Sequence, residues 1–213
     1  MDALRARRFA VIDVETTGFS PVADRVVEFA CVIVQDRRIE YTWSTLVNPL
    51  RPIPRYATAV HGITDEHVAN ARPMWSVEPQ IRRLCAGAVI VAHNASFDLS
   101  FLPALQSSPS LCTVALARRA FPHAPNHKNQ TLRAYLGLDR DESLRGLEAH
   151  RALADALVTA GIFLRCAERL RGSCVVPFRP RILDTASDDD ELCPESVWDP
   201  VRCRLPSVRM HRR

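Results

Sequence analysis

The segment FAVIDVETTG, residues 9–18, restricts the fold more than any other stretch of this chain. Phe9, Ala10, Val11, Ile12 and Val14 make the near-continuous apolar run of a strand buried on both faces. Asp13 and Glu15 nonetheless interrupt its end. An unpaired carboxylate taken out of water costs several kcal/mol or neutralises itself, so acids in such a place require a cation or a dense set of donors. Residues two apart in a strand project to the same side, so Asp13 and Glu15 present their carboxylates as a pair. Paired like charges attract a multivalent cation.

The rest of the chain supplies the core around that strand. A length of 213 residues, 47% hydrophobic and 24% charged, is ordinary globular composition with room for one sizeable core. No window approaches the apolar length of a membrane span, and the N-terminus runs into the first strand without an apolar signal segment, so the expected location is the cytoplasm, away from membranes. Seven scattered cysteines without a C-x-x-C pair fit reduced thiols rather than disulfides or a zinc site. The net charge of +4 resides in the body, since residues 1–171 carry 21 basic and 17 acidic side chains while 172–213 carry 7 of each. With four acids assigned to metal, the body favours a polyanionic partner; the competing reading is that an Arg-rich composition reflects genome bias.

VVEFACVIV (26–34) and IEYTWSTLV (39–47), separated by the polar QDRR, predict a hairpin beside the first strand. The three prolines of NPLRPIP exclude regular structure there and lead to HGITDEHV, where Thr64 can cap a short helix. Helical patterns follow at 76–85, 96–106, 113–120, 130–136 and 150–170, with a strand-like AVIVAH at 88–93. Three strands followed by alternating helices and strands indicate an α/β sheet with helices on its faces. After Arg171 the periodicity decays into a proline-containing segment with an acidic run at 188–191. Residues 1–171 therefore read as one domain and 172–213 as a tail or tether, with Trp198 able to dock on the body or on a partner.

Two further acids stand where folding can bring them to the first pair. In VAHNASFDLSFL, Asn94 or Ser96 can cap a helix whose first turn holds Asp98. Taken alone, such an acid complements the helix dipole. In AHRALADALVTAGIFL, the only polar residues from Ala152 to Ala160 are Asp155 and Thr159, so this helix is largely buried and Asp155 is not a solvated surface charge. His150 lies five residues before Asp155, about 140° around a regular helix, and can serve the same site only from the loop or cap ahead of the helix.

Together, D-x-E-T-T-G after a strand, H-N-x-x-F-D at a strand-to-helix junction and H-x-x-x-x-D entering an apolar helix resemble the DnaQ-like, or DEDD, family of 3′→5′ exonucleases in its DEDDh branch. That family includes the proofreading epsilon subunit of bacterial DNA polymerase III, RNase T and oligoribonuclease. The resemblance covers about residues 8–170. It implies an RNase H-like fold with a five-stranded mixed sheet flanked by helices, and two divalent cations, Mg²⁺ or Mn²⁺. Asp13, Glu15, Asp98 and Asp155 are the implied metal-binding acids, with His150 as general base. HGIT (61–64) is similar to the family's segment near the terminal nucleotide, and HKNQTLRAYLGL (127–138) to the helix before the third motif. At Cys112 many relatives have an Asp that is not one of the metal acids.

Hard carboxylate oxygens favour Mg²⁺ or Mn²⁺, and a pair of such ions can activate water and stabilise the leaving oxygen of a displacement at phosphorus. The expected reaction is hydrolysis of the 3′-terminal phosphodiester of single-stranded DNA, releasing nucleoside 5′-monophosphates. By resemblance Thr16, Thr17, Gly18, His61, Asn94 and Phe97 line the 3′ nucleotide's pocket; Phe97 and Phe19 can stack on bases, although Phe97 fits core packing equally well. An RNA substrate, or a non-catalytic module that recruits a polymerase, are the competing readings. The tail is the expected attachment to a DNA polymerase or clamp.

Overall fold

The computed structural model describes residues 8–140 and 149–171; the proposed tail at 172–213, with Trp198, lies outside the described residues. Strand β1 (Phe9–Thr16) occupies the centre of a five-stranded sheet of order β3-β2-β1-β4-β5. β2 (Val26–Gln35) and β3 (Arg38–Leu46) pair antiparallel, β2 with β1 and β3 with β2, whereas β4 (Val89–Ala92) and β5 (Ser110–Cys112) continue the other side in parallel. The sheet is therefore mixed, as expected from the resemblance. The β2–β3 turn places Asp36 and Arg37 at φ 49° and 65°. Positive φ at both central residues matches the twist of the strands they join.

The helices follow from prolines, caps and apolar stripes. α1 (Arg55–His61) and α2 (Asp65–Val68) fill the connection after β3. Thr64 is the N-cap of α2 as predicted, and the Thr64 N–H donates to His67 Nδ1 at 3.1 Å. α1 is a correction: the prolines keep residues 49–54 irregular, but Pro54 also presets the helix entrance, at φ −62° and ψ 143°. The predicted helix over 96–106 is shorter. α4 (Ala95–Phe101) stops before Pro103, whose missing N–H ends the ladder, and a single 3₁₀ turn follows at Pro103–Leu105. α3 (Met74–Cys85), α5 (Thr113–Ala120), α6 (Asn129–Tyr135) and α7 (Ala152–Arg171) lie where the periodicity put them.

Strand parity divides the core between two layers. Ala10, Ile12 and Val14 face one layer with Val77 and Ile81 of α3 and Phe101 of α4. Phe9 and Val11 face the other, with Leu157, Val158 and Phe163 of α7. The Phe9 and Phe163 rings meet there at 4.8 Å between centroids. Asp13 and Glu15 continue the odd-numbered series, so the strand period aims both acids toward the face that α7 covers. Cys31, Cys85, Cys112 and Cys166 are free thiols. Among the described residues, no helix is long and apolar enough to cross a membrane.

Candidate active site

Parity brings the strand acids to the start of α7. Carboxylate oxygens of Asp13, Glu15 and Asp155 all lie within 4.8 Å of one another. Asp98, 3% exposed in α4, flanks this trio. It adds to the negative field felt by Asp13 and Glu15, and it is itself steadied by the backbone N–H groups of Asp98 and Val14.

Burial and mutual repulsion leave every one of these acids reluctant to ionise. Asp13 is held well above the usual carboxylate range, first by burial and then by Asp98, Asp155, Glu15 and Glu28. Glu15 is pushed up to about 8 by burial and by Asp155, Glu28 and Asp98. Burial raises Asp98 to about 7. Asp155 is also raised by burial, against the pull of His150, Gln130 and Arg133. A crowd of carboxylates whose burial and mutual repulsion outweigh the nearby positive groups is the donor set that hard divalent cations select, so these residues fit the expected metal.

His150 sits just ahead of α7, as the helical geometry required. It is exposed, and its backbone adopts φ 61°. Its N–H donates to Asp155 Oδ2 at 3.2 Å, while Gln130 Nε2 donates to Asp155 Oδ1 at 2.7 Å. Asp155 is thus fixed from both sides. The next residue ties the loop to the sheet: Arg151 Nε and a terminal nitrogen donate to Glu28 Oε2 and Oε1 at 3.1 and 2.7 Å, and the Ala152 N–H donates to Oε2 at 2.9 Å. Glu28 is 4% exposed and directly opposite Glu15 in the β1–β2 register.

Glu28, Arg151 and Gln130 were not singled out from the sequence. A signal existed for Glu28, an acid within an apolar strand like Asp13. For Gln130 none existed, because its partner is 25 residues away.

The residues predicted to line a nucleotide pocket fall into two groups. Thr17 is spent internally: its hydroxyl donates to Asp24 Oδ1 at 3.0 Å and accepts from the Arg25 N–H at 3.1 Å. The Thr16 hydroxyl donates to the Gly18 carbonyl at 2.6 Å. Gly18 has a reason other than the expected close approach of a ligand, since a Cβ there would meet Asp24 Oδ2 at 2.5 Å. His61, Asn94 and Phe97 retain unsatisfied or open surface. His61 Nδ1 accepts from the Ile63 N–H at 3.0 Å, its Nε2 is buried near the Thr16 backbone without a well-formed hydrogen bond, and burial holds its pKa below the usual value. Asn94 occupies the N-cap position of α4, but its left-handed backbone (φ 73°) leaves the expected side-chain cap unmade. Phe97 is half-buried and lies 6.3 Å from the exposed ring of Phe19 and 5.2 Å from Phe101, so it packs on the core and still reaches the site's edge.

Known proteins resemble this chain in sequence and in fold. A family model described as an exonuclease, RNase T, matches residues 10–163. A DNA polymerase III subunit epsilon-like protein of Rhodobacter capsulatus is 41% identical over 180 residues, covering 80% of this chain and 25% of the relative. The 3′-5′ exonuclease DinG of Bacillus subtilis is 36% identical over 177 residues, covering 79% and 18%. The chain thus spans a quarter or less of the length of these curated relatives. The solved structure of exonuclease X in complex with 5′ overhanging duplex DNA superposes with a TM-score of 0.64 at 37% identity, covering 75% of this chain and 89% of that one. E. coli exonuclease I in complex with a dA16 oligonucleotide gives the same TM-score at 19% identity, covering 76% and 41%, and shares the fold. With the family model spanning the sheet, the acid trio and most of α7, the chain belongs to the RNase T exonuclease family.

Proposed function

We propose that this protein is a divalent-cation-dependent 3′→5′ exonuclease that removes nucleoside 5′-monophosphates from single-stranded DNA. The observation that carries the reading is the convergence of Asp13, Glu15 and Asp155 within 4.8 Å, with His150 placed immediately beside Asp155. Asp13, Glu15, Asp98 and Asp155 would hold the cations, two Mg²⁺ or Mn²⁺ ions. Bound there, such ions supply Lewis acidity for the attacking water and for the departing oxygen.

The chain's own groups do the rest. His150, exposed and anchored through its backbone to Asp155, takes the proton of the attacking water. The new P–O bond forms as the bond from phosphorus to the 3′ oxygen of the preceding nucleotide breaks, and that oxygen leaves as a hydroxyl. The unpartnered Nε2 of His61 offers a donor to the terminal nucleotide, and Asn94 offers an exposed amide beside it. Phe97 and Phe19 offer ring faces to bases. A DNA substrate is supported by the DNA complex of the 37%-identical neighbour and by the polymerase III name of the first relative. The same name supports association with a polymerase, for which the tail at 172–213 is the proposed tether.

A single strand labelled at either end, incubated with Mg²⁺, Mn²⁺ or chelator, tests the reading. Shortening from the 3′ end that requires the metal supports it; endonucleolytic cutting, 5′→3′ polarity or metal-independent cleavage overturns it. Matched DNA and RNA strands decide the sugar. His150→Ala is expected to lower kcat by about 10²- to 10⁴-fold, the usual weight of a general base, with little change in substrate affinity.

A further inference from the structure

We infer that a cleft beside the acid cluster, walled by Arg118 and Lys128, holds a backbone phosphate of the substrate strand on the 5′ side of the bond that is cut. This rests on the nuclease reading above. The cleft has a volume of about 510 Å³ and lies between α5 and the loop that enters α6. No carboxylate lines it. Arg118 and Lys128 are exposed, and neither forms an ion pair with a carboxylate among the described residues, whereas Arg82, Arg133, Arg151 and Arg165 all do.

The two histidines of the wall brace it. His93 Nδ1 meets the Thr113 hydroxyl at 2.8 Å and its Nε2 meets the His127 carbonyl at 2.9 Å, while burial keeps its pKa low. His127 Nε2 bonds the Phe121 carbonyl at 3.1 Å. These contacts join the end of β4 to the loop before α6, so the cleft is a built feature. Its positive charge comes from Arg118 and Lys128.

Continuity with the acid cluster identifies the occupant. One wall is Asn94, which leads into the helix carrying Asp98. The other runs through Lys128 and Asn129 to Gln130, the residue that donates to Asp155 Oδ1 at 2.7 Å. A strand whose terminal phosphodiester sits among the carboxylates therefore passes its next phosphates along this cleft. The acids repel a polyanion, and the side chains of Arg118 and Lys128 supply attraction along the cleft.

The test is binding of a 5′-labelled single-stranded DNA to the full chain in chelator, followed by fluorescence anisotropy at several salt concentrations. R118A/K128A is expected to raise Kd about tenfold and to flatten the slope of log affinity against log salt by about 1.4, two contacts at ~0.7 each for single strands. Arg119→Ala changes an exposed arginine of the same helix outside the cleft and is expected to leave both quantities unchanged. Wild-type Kd and slope in the double variant overturn the inference, as does an equal effect of Arg119→Ala, which would mean that charge acts diffusely. No measurable binding by the wild type also overturns it. Failure of the wild type to shorten a strand in Mg²⁺ or Mn²⁺ counts against the nuclease reading instead, because the binding comparison is made without metal.

Discussion

Asp13→Asn is expected to stabilise the metal-free protein while reducing nuclease activity at least a thousandfold. Asp13 is surrounded by the negative fields of Asp98, Asp155, Glu15 and Glu28 and is already raised well above the ordinary carboxylate range by burial. An amide of the same shape removes that repulsion and the cost of ionising a buried acid, so the metal-free fold is expected to melt at a higher temperature. The same change removes a cation ligand whose loss costs several kcal/mol of transition-state stabilisation, each ~1.36 kcal/mol being a factor of ten in rate. Thermal melting in chelator and the 3′-end assay read the two effects separately. An acid kept for structure would behave in the opposite way: its amide would melt earlier and leave turnover nearly intact.

Arg151→Ala acts through position. Arg151 pairs with the buried carboxylate of Glu28, and with the Ala152 N–H it pins the entrance of α7 to β2. Removal of the arginine leaves Glu28 facing Glu15 across the strand pair with one donor. Breaking a buried pair in this way costs about 3–5 kcal/mol, although the exposed side of the guanidinium places this case at the lower end. His150 is the neighbouring residue, so kcat is expected to fall as well, by roughly tenfold or more for a displacement on the order of 1 Å. Denaturant unfolding checks the stability loss. Glu28→Gln in the Arg151→Ala background is expected to return part of it, because the stranded charge is then gone.

The contrast between these variants shows where the residues themselves were informative. An apolar strand that tolerates Asp13 and Glu15 on one parity, and an apolar helix that tolerates Asp155, disclose a buried charge cluster before any coordinates. Helical geometry alone put His150 ahead of α7. What stayed hidden was non-local or too short to have a period. β5 spans three residues, Ser110–Cys112, and exists because β4 offers it a parallel edge. α1 follows a proline run that reads as irregular, since the same ring that forbids a helix interior suits a helix entrance. At Gly18 the sequence does not show that Asp24 of the same loop fills the space a Cβ would take. The supports of Asp155 and of the His150 loop, Gln130 and Glu28, come from elements 25 and 123 residues away along the chain from their partners. No local pattern announces such pairs.

Whether the β1 and α7 carboxylates act as one cage is decided by the melting temperature from pH 5 to 8, in chelator and in Mn²⁺, for the wild type and for Asp13→Asn. Burial and neighbouring acids push Glu15 up from 4.5 to about 8, and burial pushes Asp98 up from 3.8 to about 7, so above pH ~4 the folded state holds the extra protons. Above about pH 6.5, where the buried His61 and His93 are neutral in both states and no longer contribute the opposite slope, stability of the metal-free wild type must then fall as pH rises to about 8. Mn²⁺ is expected to remove that fall, by binding the folded state alone. Asp13→Asn should show a shallower fall and little rescue. A wild-type profile in chelator that is flat or rises above about pH 6.5, or equal Mn²⁺ stabilisation of both proteins, would contradict the cage.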